Sequence, residues 1–586
     1  MSEAIGEKPS GWRRVLLRGD RLADLGFVAL LLALLWVMYA PSLQHTPRAD
    51  QWCFLVDTID QHSFWDIFAH NYSYNRTRRV MPGDTDLYRP LLFAVLSAEK
   101  ALFDSDFSAY QALGILLHWG VACLLLLLLR TILDSAAGTT ETDSPPSPSW
   151  MSRLLSYGVC LFFALNKSVQ ELVIWSHLHG YLVFLMLLLA SLTLLLRWSR
   201  RPVSWKSPSL WGSWGLALFS AFTYEMGQLF AVLAGLFLAL GLPRGTGMTR
   251  RLAFCVLFPT VMVIYQGADR LDRWIHREAF RPEGVRADIR ERAFSKATVD
   301  HSKRFLAYTV GQPFFPSLME GALGGDRVVI GEAAWSLEHF TNTPPTTTSP
   351  TLNLSYVSVS DGQEHRVRLP PALIVSLLTA TVAAGLGLFG LMRLLLQRDK
   401  RSLLTLLLTF GLYGAYMAMT VLGRMNIRPG PHCLSTNSYY GHMGLLLALP
   451  PIFVLWQAVG RSRAAAAAQA GLLLGLIALT CYSAPPVRRL NEKVAREFKG
   501  CRDTIAALHT FIQQHKNERD FSIGIDFEAS ESIGSQYRFP IPMIVFKRWL
   551  HPHPKYIVTL RDGQVHVRPG ETIPSTNARE PLMPPG

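Results

Sequence analysis

Asp50 stands in Arg48-Ala49-Asp50-Gln51-Trp52, a few residues after the first long apolar run of the chain. A side chain there reaches the mouth of a helical bundle, and a carboxylate so placed can take the proton of an acceptor hydroxyl, provided its pKa and geometry suit. A solvated loop acid is the plainer account of the same residue. Asp57 and Asp60 share one helix face by their spacing and compete weakly for the role, because plain surface explains them too. A second group follows Asn166-Lys167-Ser168-Val169-Gln170 with Glu171, and then His177 and His179. Ionisable groups converging at a membrane boundary suggest a cavity, although solvated anchoring also accounts for them. Tyr224-Glu225 marks a turn between two apolar runs. His118 lies inside an apolar run, where hydrogen bonding between helices is a plainer role than catalysis. Arginines pair with phosphate oxygens bidentately, so Arg424 and Arg428 in a short loop suit a phosphate or diphosphate headgroup, with solvated charge as the plainer account; Arg89 is a further cation on the same side. Arg76, Arg78 and Arg79 read as solvated charge.

The elements that must hold these residues are set by composition. The chain has 586 residues, of which 17% are charged and 49% hydrophobic. Ordinary globular chains carry about 25% charged residues. The mean hydropathy is +0.20. These values exclude a soluble enzyme, a disordered tail and a disulfide-stapled secreted module. They describe a polytopic membrane protein with polar pieces attached. The formal charge of +14 fits basic loops on anionic lipid better than nucleic acid, since no compact basic and aromatic motif occurs.

A crossing helix needs about 20 apolar residues. Runs of this kind fall near 22–42, 108–133, 153–166, 178–197, 208–224, 226–243, 251–268, 372–397, 402–422, 438–458 and 463–483. That gives about eleven spans. The third is short and is expected to continue into Val169–Trp175; the fifth and sixth are parted only by Thr223-Tyr224-Glu225-Met226. Lys8, Arg13, Arg14, Arg18 and Arg21 precede the first run, and every second connection is also basic: Arg197 to Lys206, Arg244 to Arg251, Arg398 to Arg401, and Arg461 with Arg463. The positive-inside bias then puts residues 1–21 in the cytoplasm and 22–483 in the membrane domain. Loops 43–107, 269–371 and 423–437 fall outside, as does the C-terminal piece 484–586. Richness in Leu, Arg and Ala points to a bacterial inner membrane, with the endoplasmic reticulum as the alternative.

The outer pieces have structure of their own. Pro90–Leu102 is apolar enough to lie along the membrane surface, and Ser302–Phe315 suits an amphipathic or re-entrant helix. Thr351–Leu369 alternates around Asp361-Gly362, which predicts a β-hairpin. The C-terminal piece reads as a small α/β cap: a helix near 487–514, strands at Phe521–Ile525 and Tyr556–Leu560, and a turn at Arg561-Asp562-Gly563-Gln564 before Val565–Val567. The seven cysteines form no CxxC or Cys/His metal pattern, and Cys53, Cys433 and Cys501 leave room for one outer disulfide.

Three stretches carry a resemblance to a known superfamily. The first runs from Asp50 through Phe64-Trp65-Asp66-Ile67-Phe68 and Tyr88-Arg89-Pro90-Leu91 to Leu102-Phe103, Tyr110 and Leu116-Leu117-His118. The second is Ala164-Leu165-Asn166 through Glu171, Val173, Trp175 and Ser176, and the third is Tyr224-Glu225, with Tyr in place of the family's Lys. The chain resembles the GT-C glycosyltransferases, polytopic enzymes that use polyprenyl-phosphate-linked sugars. It is most similar to the branches of the protein O-mannosyltransferases and the transmembrane tetratricopeptide mannosyltransferases. The likeness covers roughly 20–270 and rests on layout alone beyond it.

The resemblance implies an all-α, GT-C-like membrane fold with small α/β pieces outside, and an inverting transfer of a sugar from a polyprenyl phosphate to an extracytoplasmic protein, lipid or glycan. It implies Asp50 as the general base, with Arg89, Glu171, His177, Glu225, Arg424 and Arg428 lining the donor phosphate or acceptor cleft. A lone carboxylate base calls for no metal and no other cofactor. The first-loop acid lacks the adjacent second acid common in the superfamily, which keeps a catalytically inactive GT-C-like partner subunit as an alternative. A flippase or transporter of a lipid-linked saccharide is the other, although no inverted repeat of the kind transporters show is visible.

Overall fold

A computed structural model describes residues 19–46, 88–103, 106–137, 150–200, 204–242, 246–275, 302, 305–314, 352–357, 364–369, 371–423, 438–460, 462–497, 499–526, 554–561 and 564–570. Apolar sequence at helical length folds as helix wherever the spans were expected. The first half contains α1 (Gly19–Tyr39), α2 (Pro90–Phe103), α3 (Phe107–Ala137), α4 (Trp150–Ala164), α5 (Gln170–Ile174) and α6 (His179–Trp198). Then come α7 (Pro208–Thr223), α8 (Met226–Gly241), α9 (Met248–Leu257), α10 (Pro259–Ile275) and the short α11 (Gln312–Phe314). After the hairpin β1 (Leu352–Val357) and β2 (Glu364–Leu369), the bundle is completed by α12 (Pro371–Gln397), α13 (Lys400–Gly423), α14 (Ser438–Ala458) and α15 (Arg463–Glu497). The chain ends in α16 (Lys499–His515), β3 (Ile523–Ile525), β4 (Tyr556–Arg561) and β5 (Gln564–Pro569).

Eight helices among the described residues are long and apolar enough to cross a membrane, with α9 and α10 together forming one of them. The protein is thus a mainly helical, multi-pass integral membrane protein. Helices α4, α7 and α8, of 15, 16 and 16 residues, fall short of a straight crossing of about 20 residues. Leucines of α1 and α12 such as Leu30, Leu388 and Leu396 face outward, as a lipid-facing surface requires. The buried core joins α3, α4, α6, α8 and α14.

Three local features depart from expectation. The third span does not run on into Val169–Trp175. Helix α4 stops at Ala164, and Asn166 turns to extended backbone with its Oδ1 accepting from the Ser168 amide at 3.1 Å and from its hydroxyl at 2.9 Å. A side chain that caps a new start in this way ends the old helix. Pro90–Leu102 is not held by a membrane surface alone: α2 packs on α3, α6 and α7, with Leu92, Phe93, Leu96 and Glu99 buried. Helix α15 runs unbroken past residue 483 through Pro485 and Pro486 to Glu497.

Other pieces follow the pattern. β1 and β2 pair antiparallel from Leu352↔Leu369 to Val357↔Glu364. β4 and β5 pair antiparallel to Arg561↔Gln564, a two-residue hairpin, and β3 joins β4 in parallel. The segment 305–314 inserts Phe305, Thr309 and Phe314 into the bundle, where Thr309 takes the space beside Gly444 of α14.

Candidate functional site

Arg197, Arg200 and Arg401 lie near one another at one end of the bundle, and Arg89, Glu99, His179 and Glu225 are carried at the other. Arg89, just before α2, is the hub of that second end. Its Nε donates to Glu225 Oε1 at 2.7 Å and its Nη2 to Glu225 Oε2 at 2.8 Å. Its Nη1 donates to the Tyr181 hydroxyl on α6 at 2.7 Å, and the guanidinium lies 4.7 Å from the Tyr224 ring centre. The planar fork matches a carboxylate in this way, and Lys does not reproduce it. Burial works against the charge, but the Glu225 carboxylate outweighs it and holds the Arg89 pKa well above its ordinary value. Tyr88 completes the wall: its carbonyl accepts from the Tyr265 hydroxyl at 2.8 Å, and its ring packs edge-on to Phe222. Burial, with Asp272 and Asp269 on α10 adding to it, raises the Tyr88 pKa.

The α7–α8 turn presents Glu225 because Gly227 sits directly over the Ser220 and Ala221 backbone. A Cβ on Gly227 would lie 2.6 Å from Ala221 Cα, so a side chain there would force the turn open.

Beside this hub, Glu99 of α2 and His179 of α6 form a second buried pair, Oε1 to Nδ1 at 3.0 Å. Gln111 of α3 donates from Nε2 to the Ile174 carbonyl of α5 at 3.0 Å. Deeper in the bundle, His118 Nε2 lies 3.0 Å from the Ala164 carbonyl and its Nδ1 lies 3.3 Å from Nε2 of His442 on α14. His118 thus makes the helix–helix bonds expected of a lone intramembrane histidine. At the outlet of α1, His45 Nε2 meets the Asn491 carbonyl of α15 at 2.9 Å, while Gln170 Nε2 donates to Asn491 Oδ1 at 2.6 Å.

Of the residues singled out from sequence, the structure brings Arg89 and Glu225 into direct bonding across 136 positions. Glu171 is half-buried on α5, and His177 is buried in the turn after it, its ring 5.4 Å from that of Trp175. These two remain on elements apart from the pair. Asp50, Arg424 and Arg428 lie outside the described residues, as do Asp57, Asp60, Arg76, Arg78, Arg79, Cys53 and Cys433. Thr46, the last described residue before the loop, is buried. Four residues of chain reach at most about 14 Å, which bounds the distance from Thr46 to Asp50.

Sequence reasoning missed Glu99, Gln111, Tyr181, His442 and Asn491. The spacing of Gln111, Gly114 and His118 on one helix face was the available signal for part of this group. Among the described residues no three His, Cys, Asp or Glu side chains come together to hold a metal ion. The described cysteines Cys123, Cys160, Cys255 and Cys481 are free thiols. No protein-family model, curated protein or solved structure matches the chain.

Proposed function

We propose that the chain is a GT-C-type membrane glycosyltransferase that moves a sugar from a polyprenyl phosphate to a hydroxyl on a protein, lipid or glycan outside the membrane. The observation that carries this reading is the packing of the three resembling stretches on one another. Arg89 of the first bonds Glu225 of the third, and His118 of the first meets the Ala164 carbonyl that opens the second. Residues that carry the likeness, far apart in sequence, meet at these two contacts.

In this reading α4, α7 and α8 also cross, for about eleven spans in total. The basic turns face the cytoplasm of a bacterial cell, and Asp50 and the acidic end face outward. Asp50 takes the proton of the acceptor hydroxyl, whose oxygen attacks the anomeric carbon. The bond from that carbon to the phosphate oxygen breaks, the polyprenyl phosphate leaves with the electron pair, and the configuration inverts. Arg424 and Arg428 hold the donor phosphate through paired hydrogen bonds. Arg89 is already bonded to Glu225 and Tyr181, so it acts as a positioning residue that fixes the far end of the loop carrying Asp50. Loops 43–107 and 269–371 form the cleft, and 484–586 caps it.

The same pair favours one rival. A GT-C-shaped partner subunit without catalysis would have no need of a free cation at this position, and Glu225 neutralises Arg89 within the fold. Transfer from radiolabelled polyprenyl-phosphate sugars to membrane acceptors separates the two. The expected result is loss of at least about 100-fold in Asp50→Asn with the fold retained. Equal transfer in both proteins removes Asp50 from the mechanism. No transfer by either folded protein favours the partner subunit.

A further inference from the structure

One face of α3 is polar from its start to the middle of the helix. Gln111, Gly114 and His118 share that face over two turns, about 10 Å. Every side chain that meets it is buried, yet the hydrogen bonding is incomplete at each level. Gln111 spends its amide on Ile174, and its Oε1 has no partner among the described residues. At Gly114 the missing side chain lets His179 Nε2 approach: a Cβ there would lie 2.6 Å from that nitrogen and would also press on the Val173 carbonyl. Among the described residues His179 Nε2 has no partner, and neither does Oε2 of Glu99, whose other oxygen holds His179 Nδ1. One turn deeper, His118 bonds Ala164 and His442, while His442 Nδ1 has no partner among the described residues. The Tyr39 ring stands edge-on to His118 with centroids 6.4 Å apart, and its buried hydroxyl also has no partner among the described residues. Beyond His118 the helix turns apolar, with Leu125, Leu128 and Leu129 fully buried, so the polar face ends there.

Buried polar groups in native proteins find partners, from protein or from ordered water. Here the partnerless atoms mix acceptors (Glu99 Oε2, Gln111 Oε1) with groups that donate or accept (the imidazole nitrogens and the Tyr39 hydroxyl). These side chains have almost no exposed surface, so a partner for them must be as small as water. Water both donates and accepts, and it occupies buried sites that offer two to four polar partners. We propose that this face of α3 holds a file of buried water molecules, starting beside the Glu99–His179 pair and ending at the His118–His442 pair near the middle of the span. The file gives the deep imidazoles a hydrogen-bonded connection to the acidic end, while the leucine layer seals them from the basic end. It stands independently of the glycosyltransferase reading, since it uses neither Asp50 nor the Arg89–Glu225 pair.

Radiolytic hydroxyl-radical footprinting of the full chain in lipid nanodiscs, in ¹⁸O-labelled water, tests this. Radicals born from bound water oxidise the side chains that touch it, so buried residues beside water are labelled and equally buried residues in dry packing are not. Tyr39, Phe163, His179 and His442 are expected to label at least about tenfold faster than Phe230 and Phe258, which are fully buried on the α8–α10 side. Labelling no faster than at Phe230 and Phe258 overturns the proposal. In His442→Phe, the deep end loses a polar wall, and labelling of Tyr39 and Phe163 should fall about fivefold while that of His179 holds. Unchanged labelling of Tyr39 in a folded variant overturns the deep end of the file. If the variant does not fold, the wild-type comparison decides alone.

Discussion

Two clusters of arginine, carboxylate and tyrosine stand at opposite ends of the bundle, one built on a glutamate and the other on an aspartate. At the acidic end Arg89 uses Nε and Nη2 on both oxygens of Glu225, and Nη1 on Tyr181. At the basic end Arg130 of α3 gives one bond, Nη2 to Asp24 Oδ1 at 2.7 Å, and the Tyr157 hydroxyl donates to the same oxygen at 2.5 Å. The Arg130 guanidinium lies 4.5 Å over the Tyr157 ring, and its Nε and Nη1 have no partner among the described residues. Side-chain exposure follows the same order: 8% and 20% for Arg89 and Glu225, against 15% and 35% for Arg130 and Asp24. The basic-end cluster ties α1, α3 and α4 while staying near water. The acidic-end cluster ties α2, α6 and the α7–α8 turn with all three guanidinium nitrogens of Arg89 bonded. A closed pair fixes position, whereas an open one mainly anchors.

The comparison breaks if the two pairs prove equally costly to disrupt. Glu225→Ala strands the Arg89 guanidinium in a buried place without its carboxylate, and removing one partner of such a pair costs about 3 kcal/mol. The midpoint of SDS-induced unfolding should fall accordingly. Glu225→Gln should recover part of the loss, because its amide oxygen still accepts one hydrogen bond.

Asp24→Asn sharpens the contrast. Its carboxylate is a third exposed, one oxygen carries both bonds, and a pair of this kind contributes about 1 kcal/mol or less. The same unfolding measurement should show a loss well below that of Glu225→Ala. A larger loss at Asp24 would mean that the basic end, not the acidic end, is the rigid one.

The sequence made one half of this contrast legible. Arg89 before Pro90 and Glu225 at a break between two apolar runs both stood out, because each departs from its surroundings in charge and each marks an element boundary. The helices were legible for the same reason: lipid imposes long apolar runs. Both hairpins were readable from alternation and a central Asp-Gly. The Glu99–His179 pair was not, since one acid in an apolar 14-residue run reads as the solvent face of an interfacial helix. Only the packing of α2 on α6 turns Glu99 inward. The apolar run ends near residue 483, yet α15 continues to Glu497 through Pro485-Pro486, a pair that normally ends a helix. Helices in a membrane bundle tolerate proline where neighbouring elements satisfy the freed backbone, and α14 likewise contains Pro450 and Pro451.

Glu518 carries the comparison into water. In the turn between α16 and β3 it accepts from His515 Nδ1 at 2.5 Å, Lys555 Nζ at 2.7 Å and the Tyr556 hydroxyl at 2.7 Å. The bond from Lys555, with those from His515 and Tyr556, lowers its carboxyl from 4.5 to about 2. A carboxylate whose pKa is lower folded than unfolded stabilises the fold fully above the unfolded value and loses that contribution as the pH falls through the folded one. Its window therefore runs from about pH 4.5 down to about pH 2. Amide protection of β4, corrected for intrinsic exchange, should decline across that window in the wild type. Glu518→Gln should be less protected at neutral pH and should lack the decline. Solvent screens this hub, so its effect should be the smallest of the three. Identical pH slopes in the two proteins would show that a carboxylate with three donors does little for stability when it stays in water, leaving burial as the property that separates the Arg89 end from the rest.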